Sequence, residues 1–431
     1  MTSDLLSRHR TVMPSWLGLN YAEPIEIVSG QGCRVVDAAG RSYLDFYGAI
    51  MTNILGYDIP EVSGALERQL RTGVVHCSTQ YLIRGQVEFA EKVARLSGIP
   101  DAKVYFVNSG SEAVETALLL ATAARGTGQV LALRGSYHGR SYAAAAVTGN
   151  RVYRNTALSP LDVHYLHGAD RHLPAFRRLS DEAYVEACTE DLRHILATAT
   201  ADDVACLLLE PVQGSSGFRP LTPGLVSAFK KVLDEEGILL LSDEVQTAWG
   251  RTGRTFFAIH DHGVTPDAMI FAKGTANGLP IGGVVARGEL MDGLPAHGIS
   301  TFGGNPLSMA AANATLDYVL EHDLQANAAE QGAFLADGLR AVADHSALIA
   351  DVRGRGLMVA IDLVDPTTGT ASPTHTSRLM EETKRRGLLA GKGGLTGETL
   401  RLAPPLTLSR AEAEEGLAIL RAAIEAVEQA G

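Results

Sequence analysis

Residues 238–246 read Ile-Leu-Leu-Leu-Ser-Asp-Glu-Val-Gln, and residues 269–274 read Met-Ile-Phe-Ala-Lys-Gly. Each is a short aliphatic run that ends on an ionisable side chain. A strand with one wet face would carry a polar residue at every second position; an unbroken apolar run suits a strand covered on both faces. Five further runs share this character: Val104–Val107, Val130–Leu133, Val163–Leu166, Val204–Leu209 and Gly283–Ala286. Helical stretches separate them. The pattern predicts an α/β fold with a seven-stranded, mostly parallel sheet between layers of helices. In such sheets ligands bind beyond the carboxyl ends of the strands. Asp243 and Lys273 both fall at such ends.

After about Asn305 the pattern changes. A long Ala/Leu-rich helix is followed by a strand-like run at Leu357–Leu363, a helix near Ser377–Arg386 and a short strand at Leu400–Leu402. The last helix opens on Ser409-Arg-Ala-Glu412, a capping box, and its Leu417, Leu420 and Ile424 recur at helical spacing. The expected division is residues 1–50 as the first part of a smaller α+β domain, 51–305 as the large domain, and 306–431 as the rest of the small one. A chain of 431 residues with 46% hydrophobic content supports a core of that size.

The net charge of −12 disfavours nucleic acid and anionic membranes as partners. The four cysteines, Cys33, Cys77, Cys188 and Cys206, are scattered without a C-x-x-C pair, so free thiols in a reducing, cytoplasmic setting are expected and a metal site is not. The opening Met-Thr-Ser-Asp-Leu-Leu-Ser-Arg lacks a signal-peptide core, and no apolar run reaches the length of a membrane span.

Five motifs carry candidate chemistry. In Phe106-Val-Asn-Ser-Gly-Ser-Glu-Ala113 a strand turns into a helix expected over Glu112–Ala124. The amides of Gly110 and Ser111 and the Ser111 hydroxyl would then sit at a helix N-terminus, which suits a phosphate dianion; a plain capped turn is the other reading. Asp243 could salt-bridge the protonated nitrogen of a pyridine ring and make the ring a better electron sink, or simply cap a helix. Lys273, at the end of a buried strand and before a glycine-rich segment, would lose solvation. A desolvated amine is more often neutral and able to attack an aldehyde; a surface lysine in a loop is the alternative. Tyr137-His138-Gly139 offers an aromatic face for a planar ring. Leu400-Arg401-Leu402 places a guanidinium in an apolar strand, either as a clamp for a substrate carboxylate or as a bridge between elements.

The order and spacing of these motifs decide among the readings. From about Pro24 to Leu420 the sequence resembles the class III (subgroup II) aminotransferases of fold type I, which use pyridoxal 5′-phosphate (PLP). The matching residues are Asn108-Ser-Gly-Ser-Glu-Ala113, Tyr137-His-Gly139, Glu210-Pro-Val-Gln213-Gly214, Asp243-Glu-Val-Gln246, Gly250-Arg-Thr-Gly253, Ala272-Lys-Gly274, Thr301-Phe-Gly-Gly-Asn-Pro306 and Arg401. The resemblance implies that Lys273 holds PLP as a Schiff base and acts as general base, and that Asp243 pairs with the ring nitrogen. It further implies that Tyr137 and Val245 pack on the ring, with His138 beside it, and that Gln246 approaches its phenolic oxygen. Gly110 and Ser111 would hold the phosphate, and Thr301 would reach the phosphate of a neighbouring subunit, making a homodimer the minimum unit. Arg401 would bind the substrate carboxylate, with Ile50 and Tyr81 shaping the substrate pocket.

Departures narrow the expectation. Ornithine and 4-aminobutyrate relatives carry a Glu two residues after the Gln of Glu-Pro-Val-Gln, where this chain has Ser215, and the ornithine type carries a Tyr where this chain has Ile50. Arg134-Gly-Ser-Tyr-His-Gly139 and Asp45-Phe46-Tyr-Gly-Ala-Ile50 are similar to the alanine–glyoxylate and β-alanine–pyruvate types. The expected activity is a ping-pong transfer of an amino group from an amino acid or amine to a small α-keto acid, pyruvate or glyoxylate. The alternatives are a phospho-lyase or an aminomutase on the same scaffold, or an ω-aminotransferase of the ornithine or 4-aminobutyrate type. Ala248 and Tyr57 stand where the family usually has Gly and His.

Overall fold

The computed structural model describes residues 2–201 and 203–430, so the expected domain limits at positions 1 and 431 lie outside it. Seven strands form the central sheet: β1 (Ala102–Val107), β2 (Gln129–Leu133), β3 (Asp162–Leu166), β4 (Cys206–Leu209), β5 (Leu239–Asp243), β6 (Ala268–Phe271) and β7 (Gly282–Arg287). Their order is β1-β7-β6-β5-β4-β2-β3, and only β7 runs antiparallel to its neighbours. Each of the seven runs read from the sequence is a strand of this sheet.

Side chains along a strand point alternately to opposite faces, and here the alternation divides the core in two. Leu207 and Leu209 join one apolar cluster with Leu131, Leu240, Met269 and Phe271, while Cys206 and Leu208 join another with Val130, Ala132, Leu241 and Ile270. Both faces are therefore dry, as the unbroken apolar runs require. Helix α1 (Gly110–Arg125) covers the second face through Ala113, Val114, Ala117, Leu118 and Ala121, whose small side chains let it lie close to the sheet. It starts two residues earlier than expected, because Ser109 is its N-cap and accepts from the Glu112 amide, and it stops at Gly126, whose φ of 68° ends the helix.

Register brings the chemistry to one edge. Asp243, the last residue of β5, lies opposite Ile270 of β6, and Ser242 lies opposite Leu209 of β4. Three ionisable residues thus crowd the carboxyl ends of adjacent strands: Glu210, Asp243 and Lys273.

The C-terminal third builds an antiparallel sheet from β8 (Ile349–Arg355), β9 (Met358–Leu363), β10 (Gly391–Gly393) and β11 (Thr399–Leu402), in the order β8-β9-β11-β10. The expected helix near Ser377 begins at Pro373, since Ser372 caps it and Pro occupies the first turn, where a missing N–H costs nothing. The final helix α2 (Arg410–Gln429) has the full capping box between Ser409 and Glu412. Strands Ile27–Gln31, Arg34–Asp37 and Ser42–Asp45 form a small sheet whose fourth strand is Leu388–Leu389, paired parallel to Ser42–Asp45. No described helix is long and apolar enough to cross a membrane.

Candidate active site

A cavity of about 310 Å³ opens at the carboxyl edge of the central sheet, and its lining includes Gly110, Ser111, Tyr137, His138, Asp243, Val245, Gln246 and Lys273. That volume falls at the small end of the roughly 300–1,000 Å³ typical of ligand sites. Among the described residues, no group of three or more His, Cys, Asp or Glu is placed to hold a metal ion.

Lys273 follows β6 and starts a short 3₁₀ turn, Lys273–Ala276, with φ at +42°. A side chain other than glycine pays for that left-handed backbone, and such strain gathers where geometry serves function. The residue keeps some accessible surface because it faces the cavity, while its amine lies deep inside the protein. Burial pushes that amine below its ordinary value. The carboxylates of Asp243 and Glu210 oppose the shift, and Arg401 reinforces it.

Asp243 is buried and doubly held. One oxygen accepts from the Val245 amide at 3.0 Å and the other meets His138 Nδ1 at 2.7 Å. His138 is itself anchored through its backbone amide to the Thr148 hydroxyl. Tyr137 donates its amide to Glu210, whose second oxygen accepts from the Gly214 amide, both at 2.9 Å. Burial pushes Glu210 up to about 7, with His138 pulling down and Asp243 pushing up. Glu210, a motif residue without an expected role, follows β4 much as Lys273 follows β6, so the same strand-end rule singles it out. Thr52 and Ile281 also line the cavity and had no signal in the sequence.

At the other wall, Gly110 and Ser111 occupy the first turn of α1, where a helix has no internal partner for its amides. The Ser111 hydroxyl accepts from the Arg140 amide at 3.2 Å. Gly139, with φ at 131°, comes so near that a Cβ there would lie 2.5 Å from Ser111 Oγ. Four candidate residues lie outside the cavity lining. Arg401 is buried, Ile50 and Tyr81 are exposed at 51% and 71%, and Thr301 is exposed in a loop. Tyr57, one of the two departures, donates its hydroxyl to Asp45 at 2.7 Å and packs its ring on Gly30. Ala248, the other, is buried in the apolar core.

The family model for aminotransferase class-III matches residues 19–424. The chain belongs to that family. Among relatives of this aminotransferase, the 5-aminovalerate aminotransferase DavT of Pseudomonas putida is 34% identical over 430 residues, covering 96% of each chain. Among solved structures, a phospholyase from Arthrobacter in complex with phosphoethanolamine is 32% identical, with a TM-score of 0.88 and coverage of 98% and 99%. An amine transaminase from an uncultivated Pseudomonas species, in its PLP-bound form, is 30% identical, with a TM-score of 0.89 and coverage of 96% and 98%. The aminotransferase is PLP-dependent and works on an amino donor and a keto-acid acceptor.

The residues present fit that cofactor. His138 Nε2 and Gln246 Oε1 are buried without a hydrogen-bond partner in the protein, and both residues line the cavity. Buried polar atoms are almost always satisfied, so the two orphans mark a place where a polar ligand completes the network. A negative Asp243 at one end and free helix amides at the other match a molecule cationic at one end and dianionic at the other.

Proposed function

We propose that this aminotransferase moves an amino group from an amino acid or amine to a small α-keto acid, pyruvate or glyoxylate, in two half-reactions. The observation that carries the reading is a buried amine at Lys273 and a held carboxylate at Asp243 lining one cavity, with the buried Arg401 guanidinium near enough to help lower the proton affinity of that amine. When bound, PLP supplies an electrophilic aldehyde and a ring that accepts the electron pair of a substrate carbanion.

The chain supplies the rest. Lys273, with its lowered proton affinity, would hold the cofactor through its amine and serve as the general base that moves the substrate's proton. Asp243, held in place by His138 and the Val245 amide, would pair with the ring nitrogen and keep it protonated. Gly110 and Ser111 would hold the phosphate, Tyr137 and Val245 would pack on the ring, and Gln246 would approach its phenolic oxygen, all of them lining the one cavity. Arg401 would clamp the substrate carboxylate, Ile50 and Tyr81 would shape the substrate pocket, and Thr301 would reach the phosphate of a neighbouring subunit. The exposed apolar residues Leu82 (97%), Tyr81, Ile299 and Phe302 support this homodimer. Cytoplasmic residence is part of the same proposal, supported by four free cysteines. So is a large domain at 51–305 with a small domain made from 1–50 and 306–431, supported by the strand pairing of Ser42–Asp45 with Leu388–Leu389.

Ser215 argues against an ω-amino-acid substrate of the kind that DavT's name states. It is buried, and its hydroxyl accepts from the Asn150 side-chain Nδ2 at 3.4 Å. A serine cannot neutralise Arg401 in a parked position, and an unpaired buried charge costs several kcal/mol. The likeness to a phospholyase keeps phosphate elimination as the second reading.

Lys273→Ala tests the centre: we expect loss of turnover and of the absorbance of lysine-bound cofactor, and a variant that transaminates normally sinks the assignment. Arg401→Ala should raise KM for keto acids far more than it weakens cofactor retention. A single half-reaction with donor alone separates the two readings, since only transamination leaves aminated cofactor and a free keto product.

A further inference from the structure

Arg401 lies in β11 opposite Ala360 of β9 and Gly391 of β10, and only 4% of it is exposed. A guanidinium has five N–H groups. Four find oxygen atoms: Nε and one Nη2 proton go to the Lys392 carbonyl at 3.1 and 2.8 Å, Nη1 to the Gly214 carbonyl at 3.1 Å, and Nη2 to the Tyr47 hydroxyl at 2.6 Å. Every acceptor is neutral. Among the described residues, no carboxylate lies within ion-pair distance of Arg401, although a buried cation left without a counter-charge is costly.

Two glycines make room for this arrangement. Gly391 and Gly393 sit two residues apart on β10, so their missing side chains belong to the same face. A Cβ at Gly391 would lie 2.0 Å from Tyr47 Cε2, and one at Gly393 would lie 2.6 Å from Arg401 Nε. The phenol ring and the guanidinium occupy the trough that results. Asp45 sets the other end of Tyr47: one oxygen accepts from the Tyr47 and Gly48 amides at 2.9 and 3.1 Å, and the second from the Tyr57 hydroxyl. The Tyr47 oxygen accepts from Arg401, and no described residue accepts the proton it carries.

We propose that Tyr47 is a positioning and specificity-determining residue, holding Arg401 toward the cavity and donating its own hydroxyl proton to the carboxylate that Arg401 receives. The proposal rests on the reading of Arg401 as the acid clamp. It makes the recognition element a pair, one charged donor and one neutral donor, directed at the carboxylate of a short α-keto acid. The link to the cavity is short: Gly214, whose carbonyl Arg401 holds, packs against the Gln246 side chain, and its amide is bonded to Glu210.

The test uses the holoenzyme and three variants, Tyr47→Phe, Gly391→Ala and Arg401→Ala. Two quantities are read: kcat and KM for pyruvate and glyoxylate, and the Kd of propionate, an unreactive carboxylate, by calorimetry. We expect Tyr47→Phe to raise both KM and the propionate Kd about tenfold or more, the scale of one hydrogen bond to a charged group, while kcat at saturation hardly moves. Gly391→Ala, which pushes the ring aside and leaves both Tyr47 and Arg401 chemically intact, should shift the same two numbers in the same direction. If Arg401→Ala weakens propionate but Tyr47→Phe does not, Tyr47 has no such role and the clamp stands. If Tyr47→Phe lowers kcat and thermal stability with KM and Kd unmoved, its role is merely structural and the proposal is overturned. If Arg401→Ala leaves both numbers unmoved, the clamp reading itself falls, and this proposal with it.

Discussion

A single carboxylate shows how much one residue can be made to do. Asp243 is buried at the end of a central strand, yet it stays useful because its two oxygens are already pinned, one by a backbone amide and one by the His138 ring. Preorganised charge of this kind needs no rearrangement when charge develops nearby. Asp243→Asn keeps the shape and removes the charge. We expect kcat to fall about 10²–10³-fold, the scale seen when one preorganised electrostatic group is lost, with thermal stability little changed; steady-state kinetics beside a melting curve checks both. Legibility at this scale was uneven. Asp243 and Lys273 announced themselves because each ends an apolar run, and Glu210 does so too by the same rule. Tyr47 could not, because its importance comes from two absent side chains at Gly391 and Gly393, about 345 positions away in the chain.

At the scale of elements, the acid next to Asp243 ties the end of β5 to the 3₁₀ helix Ala258–His262. Glu244 is fully buried and accepts from the amides of Ala258 and Ile259 at 3.0 and 2.8 Å and from the hydroxyls of Ser242 and Thr247. Burial pushes it up to about 7, against the pull of those four donors. Its ordinary value is 4.5, so between about 4.5 and 7 the folded protein keeps a proton that the unfolded chain has released. Its contribution to stability therefore falls as pH rises through that window. Glu244→Gln turns an amide NH₂ toward a backbone N–H. We expect a loss of about 1–3 kcal/mol, larger at pH 5 than at pH 8 because the variant lacks the wild-type slope; urea unfolding at the two pH values reads it. The capping box of α2 gives a second case: Ser409→Ala should cost about 1 kcal/mol with kinetics unaltered. Elements were the most legible scale. Seven buried strands and the Ser409 cap are local facts of the chain, whereas the starts of α1 and of the helix at Pro373 moved by a few residues because a Ser cap outweighed the apolar periodicity.

The whole molecule carries features that no single element explains. Leu82 is 97% exposed beside Tyr81, and Phe302 is 58% exposed where it meets the His76 ring. These apolar side chains are unremarkable in sequence, where nothing distinguishes a core leucine from one at an interface. On the homodimer proposed above they belong to the subunit contact. Leu82→Asp should weaken self-association by about 2 kcal/mol or more, the threshold of an interface hot spot, and sedimentation velocity across a concentration series would show it.

The pairing of Ser42–Asp45 with Leu388–Leu389 has a consequence for how the chain is made. Leu44 lies opposite Leu388, so one edge of the first sheet waits for a partner about 340 residues downstream. At ribosomal rates of about 5–20 residues per second, that wait is on the order of tens of seconds. During synthesis the three N-terminal strands therefore present an open backbone edge, and a nascent chain stalled before position 388 should be more prone to aggregation and to chaperone capture than one released just after it.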